Sequence, residues 1–110
     1  MHYHQATSDL DLGTIIAKRD LRYSDPESGS RAVQVLLGTP QELSLGREWC
    51  CPWRIIGIGD EKVRAAYGVD AFQCLQLVMI MIGATLYARA GDETRLSWEG
   101  KPGDVGFPQQ

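Results

Sequence analysis

Val69-Asp70-Ala71-Phe72-Gln73-Cys74-Leu75-Gln76-Leu77-Val78-Met79-Ile80-Met81-Ile82-Gly83-Ala84-Thr85-Leu86-Tyr87-Ala88-Arg89-Ala90-Gly91 is the stretch whose reading decides the fold of this chain. Both ends of a helix are written into it. Asp70 is an N-cap residue, whose side chain can accept from the first free backbone N–H groups. Gln73 stands three residues on, where its amide can reach back as in a capping box, and Val69 and Cys74 occupy the hydrophobic-staple positions. Gly91 follows Ala90 as a C′ glycine, with Arg89 in the last turn near the negative end of the dipole. The spacing predicts a helix over Ala71–Ala90, roughly 30 Å long at 1.5 Å per residue.

No charged residue lies between Asp70 and Arg89. At about 100° per residue, Ala71, Leu75, Val78, Met79, Ile82 and Leu86 form one apolar face. The opposite stripe holds Gln73, Gln76, Ile80, Gly83, Ala84 and Tyr87, the least apolar side, yet uncharged. A surface helix would carry Lys and Glu there. Three readings compete: a central helix whose back lies under a terminal segment, a surface for self-association or a partner built on Gln73, Gln76, Ile80 and Tyr87, and a membrane span. The span reading is weakened by the two glutamines and by the sheet-like sequence before it.

Upstream, the pattern is strand-like. Residues 13–23 read as a first strand. The turn formers of Ser24-Asp25-Pro26-Glu27-Ser28-Gly29-Ser30 follow, then a second strand over 31–37. Val33, Val35 and Leu37 fall on one face of it by period 2. The two strands are most simply a hairpin. Residues 41–47 read as a connection and residues 48–58 as a third strand. Asp60 is expected to cap a helical turn over 61–67, stopped by Gly68. Residues 94–98 suggest a fourth strand. Residues 1–12 read as an N-terminal arm and residues 101–110 as a tail laid over the surface, all within one domain of 110 residues.

The apolar fraction of 44% and charged fraction of 23% fit a soluble globular domain with a core of its own. Net charge is −3 and the longest Lys/Arg run is Lys18-Arg19, so neither nucleic acid nor a membrane is an expected partner. The three cysteines lack a disulfide-framework spacing. The polar N-terminus has no apolar leader, so a reducing, cytoplasmic setting is expected.

The segment Trp49-Cys50-Cys51-Pro52-Trp53-Arg54 concentrates two of the three tryptophans and two of the three cysteines. Period 2 puts Trp49, Cys51 and Trp53 on one face and Cys50 and Arg54 on the other. Adjacent Cα atoms lie about 3.8 Å apart, so a Cys50–Cys51 disulfide would be strained. Zinc sites favour Cys-x₂₋₄-Cys pairs, and the only histidines are His2 and His4. No metal and no cofactor is expected. Arg54 would stand roughly 13 Å from Cys50 along the strand, too far to activate a thiolate. The cysteines therefore read as small buried hydrophobes and Pro52 as the mark of an edge or bulge. Gly57-Ile58-Gly59 lacks the third glycine of a dinucleotide loop, and no nucleophile elbow or metalloprotease motif is present. No catalytic residue is assigned.

The stretches Gly46-Arg47-Glu48-Trp49-Cys50-Cys51-Pro52-Trp53, Gly68-Val69-Asp70-Ala71-Phe72-Gln73-Cys74-Leu75, Leu96-Ser97-Trp98 and Gly106-Phe107-Pro108 form a set. Together they resemble a family of small bacterial proteins, a domain of unknown function, over residues 31–108. Trp53 departs from the Tyr or Phe expected there. The resemblance implies strands followed by a long helix and a bacterial cytoplasmic setting, and it implies no activity, cofactor or catalytic residue.

The expected fold is α+β: an antiparallel, meander-like sheet of three to four strands with one long helix on one face. The expected function is a non-catalytic interaction module, such as a homo-oligomer, an adaptor or an immunity-like binder of another bacterial protein. The alternative is a small-molecule binder or enzyme with a pocket between sheet and helix near Trp49, Trp53 and Arg54.

Overall fold

The computed structural model describes residues 11–44 and 48–109. Most of the expected N-terminal arm, His2 and His4 with it, lies outside the described residues, as do positions 45–47 of the expected connection. The fold is α+β. In chain order it comprises β1 (Ile15–Asp25), β2 (Gly29–Gly38), β3 (Gln41–Ser44), β4 (Glu48–Ile56), β5 (Arg64–Gly68), α1 (Ala71–Ala90), a 3₁₀ turn (Glu93–Arg95), β6 (Leu96–Trp98) and β7 (Lys101–Pro102). Among the described residues the sheet has seven antiparallel strands, in the order β3-β4-β2-β1-β6-β7 with β5 paired to β4 as well. It is therefore larger than the three to four strands expected.

The β1–β2 hairpin closes between Asp25 and Gly29, where the Glu27 N–H donates to Asp25 Oδ1 at 3.0 Å. Beyond it, two expectations fail. Part of the 41–47 connection is strand, since β3 folds back on β4. The helical turn expected over 61–67 is strand β5, paired from Trp49↔Gly68 to Trp53↔Arg64. Seven residues are too few to hold a helix by themselves, and pairing of Arg64–Gly68 with β4 satisfies that backbone while burying Ala65 and Ala66. Asp60 does cap, but it caps a turn: its Oδ1 accepts from the Lys62 N–H at 3.0 Å.

Strand β4 organises the sheet. One edge pairs with β5, while the other pairs with β3 through Cys50 and with β2 from Trp53 onward. Pro52 sits at that handover, where a missing N–H costs the ladder least. The strand ends at Ile56, two residues earlier than expected. The chain leaves the sheet at Gly57, whose φ is +102°. A Cβ there would lie 2.4 Å from the Ala32 carbonyl oxygen, so glycine is required for close approach to β2.

Helix α1 spans the residues its end signals predict. The Gln73 N–H donates to Asp70 Oδ1 at 2.8 Å, and Gln73 Oε1 accepts from the Val69 N–H at 2.8 Å. The reach-back thus lands one residue before the cap. Val69 remains exposed, so hydrogen bonds rather than a staple fix this end. The Gly91 N–H donates to the Tyr87 carbonyl at 3.2 Å and closes the other.

The buried side of α1 is rotated from the expected face. Cys74, Val78, Ile82, Gly83, Leu86 and Ala90 are buried, whereas Met79 is exposed and Ala71 and Leu75 are half-buried. They meet Val33, Val35, Cys51, Trp53 and Ile55 in the core. The tail does more than lie on the surface. Val105 is fully buried, and Phe107 approaches Gly83 so closely that a Cβ on the glycine would stand 3.2 Å from the phenylalanine Cβ. Arg19 holds this tail. Its guanidinium stacks on Trp98 at 4.1 Å and on Phe107 at 4.5 Å, and its Nη1 donates to the carbonyls of Gly106 at 2.6 Å and Val105 at 3.3 Å.

Candidate functional site

Two features of α1 carry chemistry: its outward face and the groove along its flank. On the outward face, Gln73 and Gln76 are exposed and Ile80 is half-buried. Tyr87 is half-buried, and its hydroxyl donates to the Gly103 carbonyl at 2.7 Å. Thus the tail takes up Gly83 and Tyr87, while the N-terminal two-thirds of the stripe stays open. The large exposed apolar residues are ones the helical wheel did not single out: Leu77 lies in this stripe, Met81 on one flank of it and Phe72, 79% exposed, on the other. Their signal in the sequence was an apolar character all round the helix rather than on one face. By length and composition alone α1 is apolar enough to cross a membrane, yet one side of it is packed on the sheet. Only 28% of its most apolar window is buried, so much of its apolar surface lacks a cover within the described residues.

Around β4 the structure separates the residues of the expected pocket. Trp53 is 1% exposed and faces the helix, with half-buried Trp49 packed against the same core. Arg54 lies on the other side of the strand. Its Nε donates to the Glu61 carbonyl at 2.7 Å, and the Glu61 carboxylate in turn accepts from the Gly57 N–H at 3.0 Å. These bonds hold Glu61 at a φ of +62°. Among the described residues, no group of three or more His, Cys, Asp or Glu could hold a metal.

The three cysteines are free and buried. Burial pushes all three thiols up, with the neighbouring Cys74 adding to the effect at Cys50 and Cys51, and Cys51 reaches about 12. The thiols are therefore poor nucleophiles. The neutral form belongs to the folded state. Unfolded thiols ionise first, near the ordinary 9.0, so this stability is complete below that pH and declines as pH rises towards about 12. Urea midpoints measured across that range should fall, with a shallower slope in Cys51→Ala. Thiolate absorbance below pH 9 in the folded protein would contradict the buried-thiol description.

The groove lies between α1 and the β4–β5 pair and has a volume of about 530 Å³. Trp53 and Arg64, directly paired across β4 and β5, stand on one side. Met81, Ala84, Thr85 and Ala88 line the other at helical spacing, with Arg89 at the end. Asp60 joins the two arginines: Arg64 Nη2 lies 2.5 Å from its Oδ2, and Arg89 Nη2 lies 3.5 Å from its Oδ1. The Lys62 N–H and then these two guanidiniums hold the Asp60 carboxyl below its ordinary value. Arg89 Nη1 also donates to the Ile58 carbonyl at 3.2 Å. Sequence reasoning passed over Arg64 and Arg89 as groove residues, because only strand register and helix packing bring them to Trp53.

Residues 17–109 match the protein family described as Domain of unknown function (DUF6968). The chain belongs to this family. The DUF6968 match takes in β1 and so begins earlier than the resemblance over residues 31–108. It includes Arg19 as well as the Leu96-Ser97-Trp98 and Gly106-Phe107-Pro108 stretches that Arg19 brings together. No curated protein and no solved structure matches the chain.

Proposed function

We propose that this DUF6968 chain is a non-catalytic interaction module in a reducing, cytoplasmic setting, and that the outward face of α1 pairs with a second copy of itself. The observation that carries this reading is the exposure of Leu77 in the outward stripe, with Phe72 exposed on one flank and Met81 on the other, on a helix with no charge from Ala71 to Ala88. Gln73, Leu77, Ile80 and Ala84 follow one another at alternating spacings of four and three, the periodicity of a helix–helix seam. A two-fold interface places each residue near the axis against its own copy, so an uncharged seam avoids like-charge repulsion. An adaptor or immunity-like role, with the same face taken by another bacterial protein, would use the same apolar anchors.

Light scattering on the purified chain should give twice the monomer mass at micromolar concentration, and Leu77→Glu with Phe72→Glu should return it to the monomer with unchanged circular dichroism. A wild-type protein that stays monomeric throughout this range would overturn the self-pairing. The charged pair of substitutions leaving the mass doubled would overturn the choice of face.

A further inference from the structure

The groove holds two buried donors without acceptors among the described residues: the indole Nε1–H of Trp53 and the Nε–H of Arg64. Both residues line the same groove and are direct cross-strand partners. Buried polar groups are nearly always bonded, and two unpaired ones side by side call for a common explanation. Both are donors, so what completes them is an acceptor. The charges point the same way. Two guanidiniums, Arg64 and Arg89, share the single carboxylate of Asp60, leaving one positive charge unbalanced at the groove. The remaining wall is formed by Met81, Ala84 and Ala88 together with Thr85, whose hydroxyl donates to the Met81 carbonyl at 2.7 Å.

We propose that this groove binds an organic monocarboxylate, whose carboxylate accepts from Trp53 and Arg64 and whose apolar body lies along Met81, Ala84 and Ala88. A carboxylate presents two oxygens in one plane to two neighbouring N–H donors and supplies the one negative charge that is missing. A doubly charged phosphate would overshoot that balance and would leave the apolar wall unused. Met81 forms the lip. The Met81 side chain is long, unbranched and exposed, so its rotation admits the ligand to the donors beneath, while Asp60 keeps the Arg64 guanidinium in place. The groove shares Met81 and Ala84 with the pairing face, whereas Trp53, Arg64 and Arg89 lie outside that face and Phe72 and Leu77 lie outside the groove, so the two properties are lost through different substitutions.

The test is an NMR titration of the full chain with sodium hexanoate, following the indole N–H resonances of Trp49, Trp53 and Trp98, assigned by triple-resonance experiments. The Trp53 signal should move downfield and saturate in the millimolar range while the other two stay nearly still. Arg64→Gln and Arg89→Gln, at partly exposed positions, should each weaken the apparent affinity about tenfold with the fold intact. Sodium phosphate and sodium chloride should produce no saturable shift. A short peptide ending in a leucine carboxylate, compared with its amide, distinguishes a free acid from a protein terminus as the carboxylate source. A Trp53 signal that does not respond, that responds equally to chloride, or that keeps its affinity in both arginine variants would overturn the proposal. Light scattering on the same samples reads helix pairing separately, so loss of one property does not obscure the other.

Discussion

Leu86→Ala is expected to lower the free energy of unfolding by about 3–4 kcal/mol, whereas Met79→Ala lowers it by about 1 kcal/mol or less. Leu86 is fully buried against the sheet, so truncation removes its transfer free energy and leaves a cavity that β2 and β4 cannot collapse to fill. Met79 is 40% exposed, and its end can be replaced by water. Urea denaturation of the two variants gives the comparison directly. Equal losses would mean that the helix sits on the sheet through the face read from its sequence instead of the rotated one.

That rotation shows where sequence reading stopped. The ends of α1 were legible because Asp70, Gln73 and Gly91 act on their own backbone neighbours, and local chemistry suffices to set them. The face was not. Leu75 and Met79 are larger hydrophobes than Cys74, Gly83 and Ala90, so a wheel weighted by apolar character turns towards them. The actual orientation depends on Phe107 seated against Gly83, a contact between segments far apart in sequence. Strand β5 was hidden for a related reason. Arg64-Ala65-Ala66-Tyr67-Gly68 contains three strong helix formers and no β-branched residue, and its strand state is imposed by β4. The arginines of the groove carried no local signal at all. Trp53 was legible as an anchor, but the identity of the residue opposite it came only with the register.

Gly57→Ala is expected to cost about 3–5 kcal/mol, combining a left-handed backbone with a steric conflict. The φ of +102° disfavours any side chain, and the new methyl would meet the Ala32 carbonyl, a backbone atom that cannot rotate aside. Gly91→Ala supplies the control. Its φ is +78°, but nothing lies within 4 Å of the added Cβ, so only the conformational cost of about 1 kcal/mol remains. Thermal melts of the two variants should therefore differ widely. A Gly57→Ala protein as stable as Gly91→Ala would show that β2 and the 57–61 loop can part without consequence.

The clasp around Arg19 also fixes an order in time. A ribosome delivers β1 before the rest of the sheet, and the Gly106 carbonyl that binds Arg19 comes 87 residues later. Until Val105 and Phe107 have emerged, the newborn sheet lacks part of its cover and the first strand its lock. Closing so long a loop is slow compared with forming the hairpin. The nascent chain must therefore pass the synthesis of those 87 residues with apolar surface bare, the stage at which chaperones engage and aggregation begins.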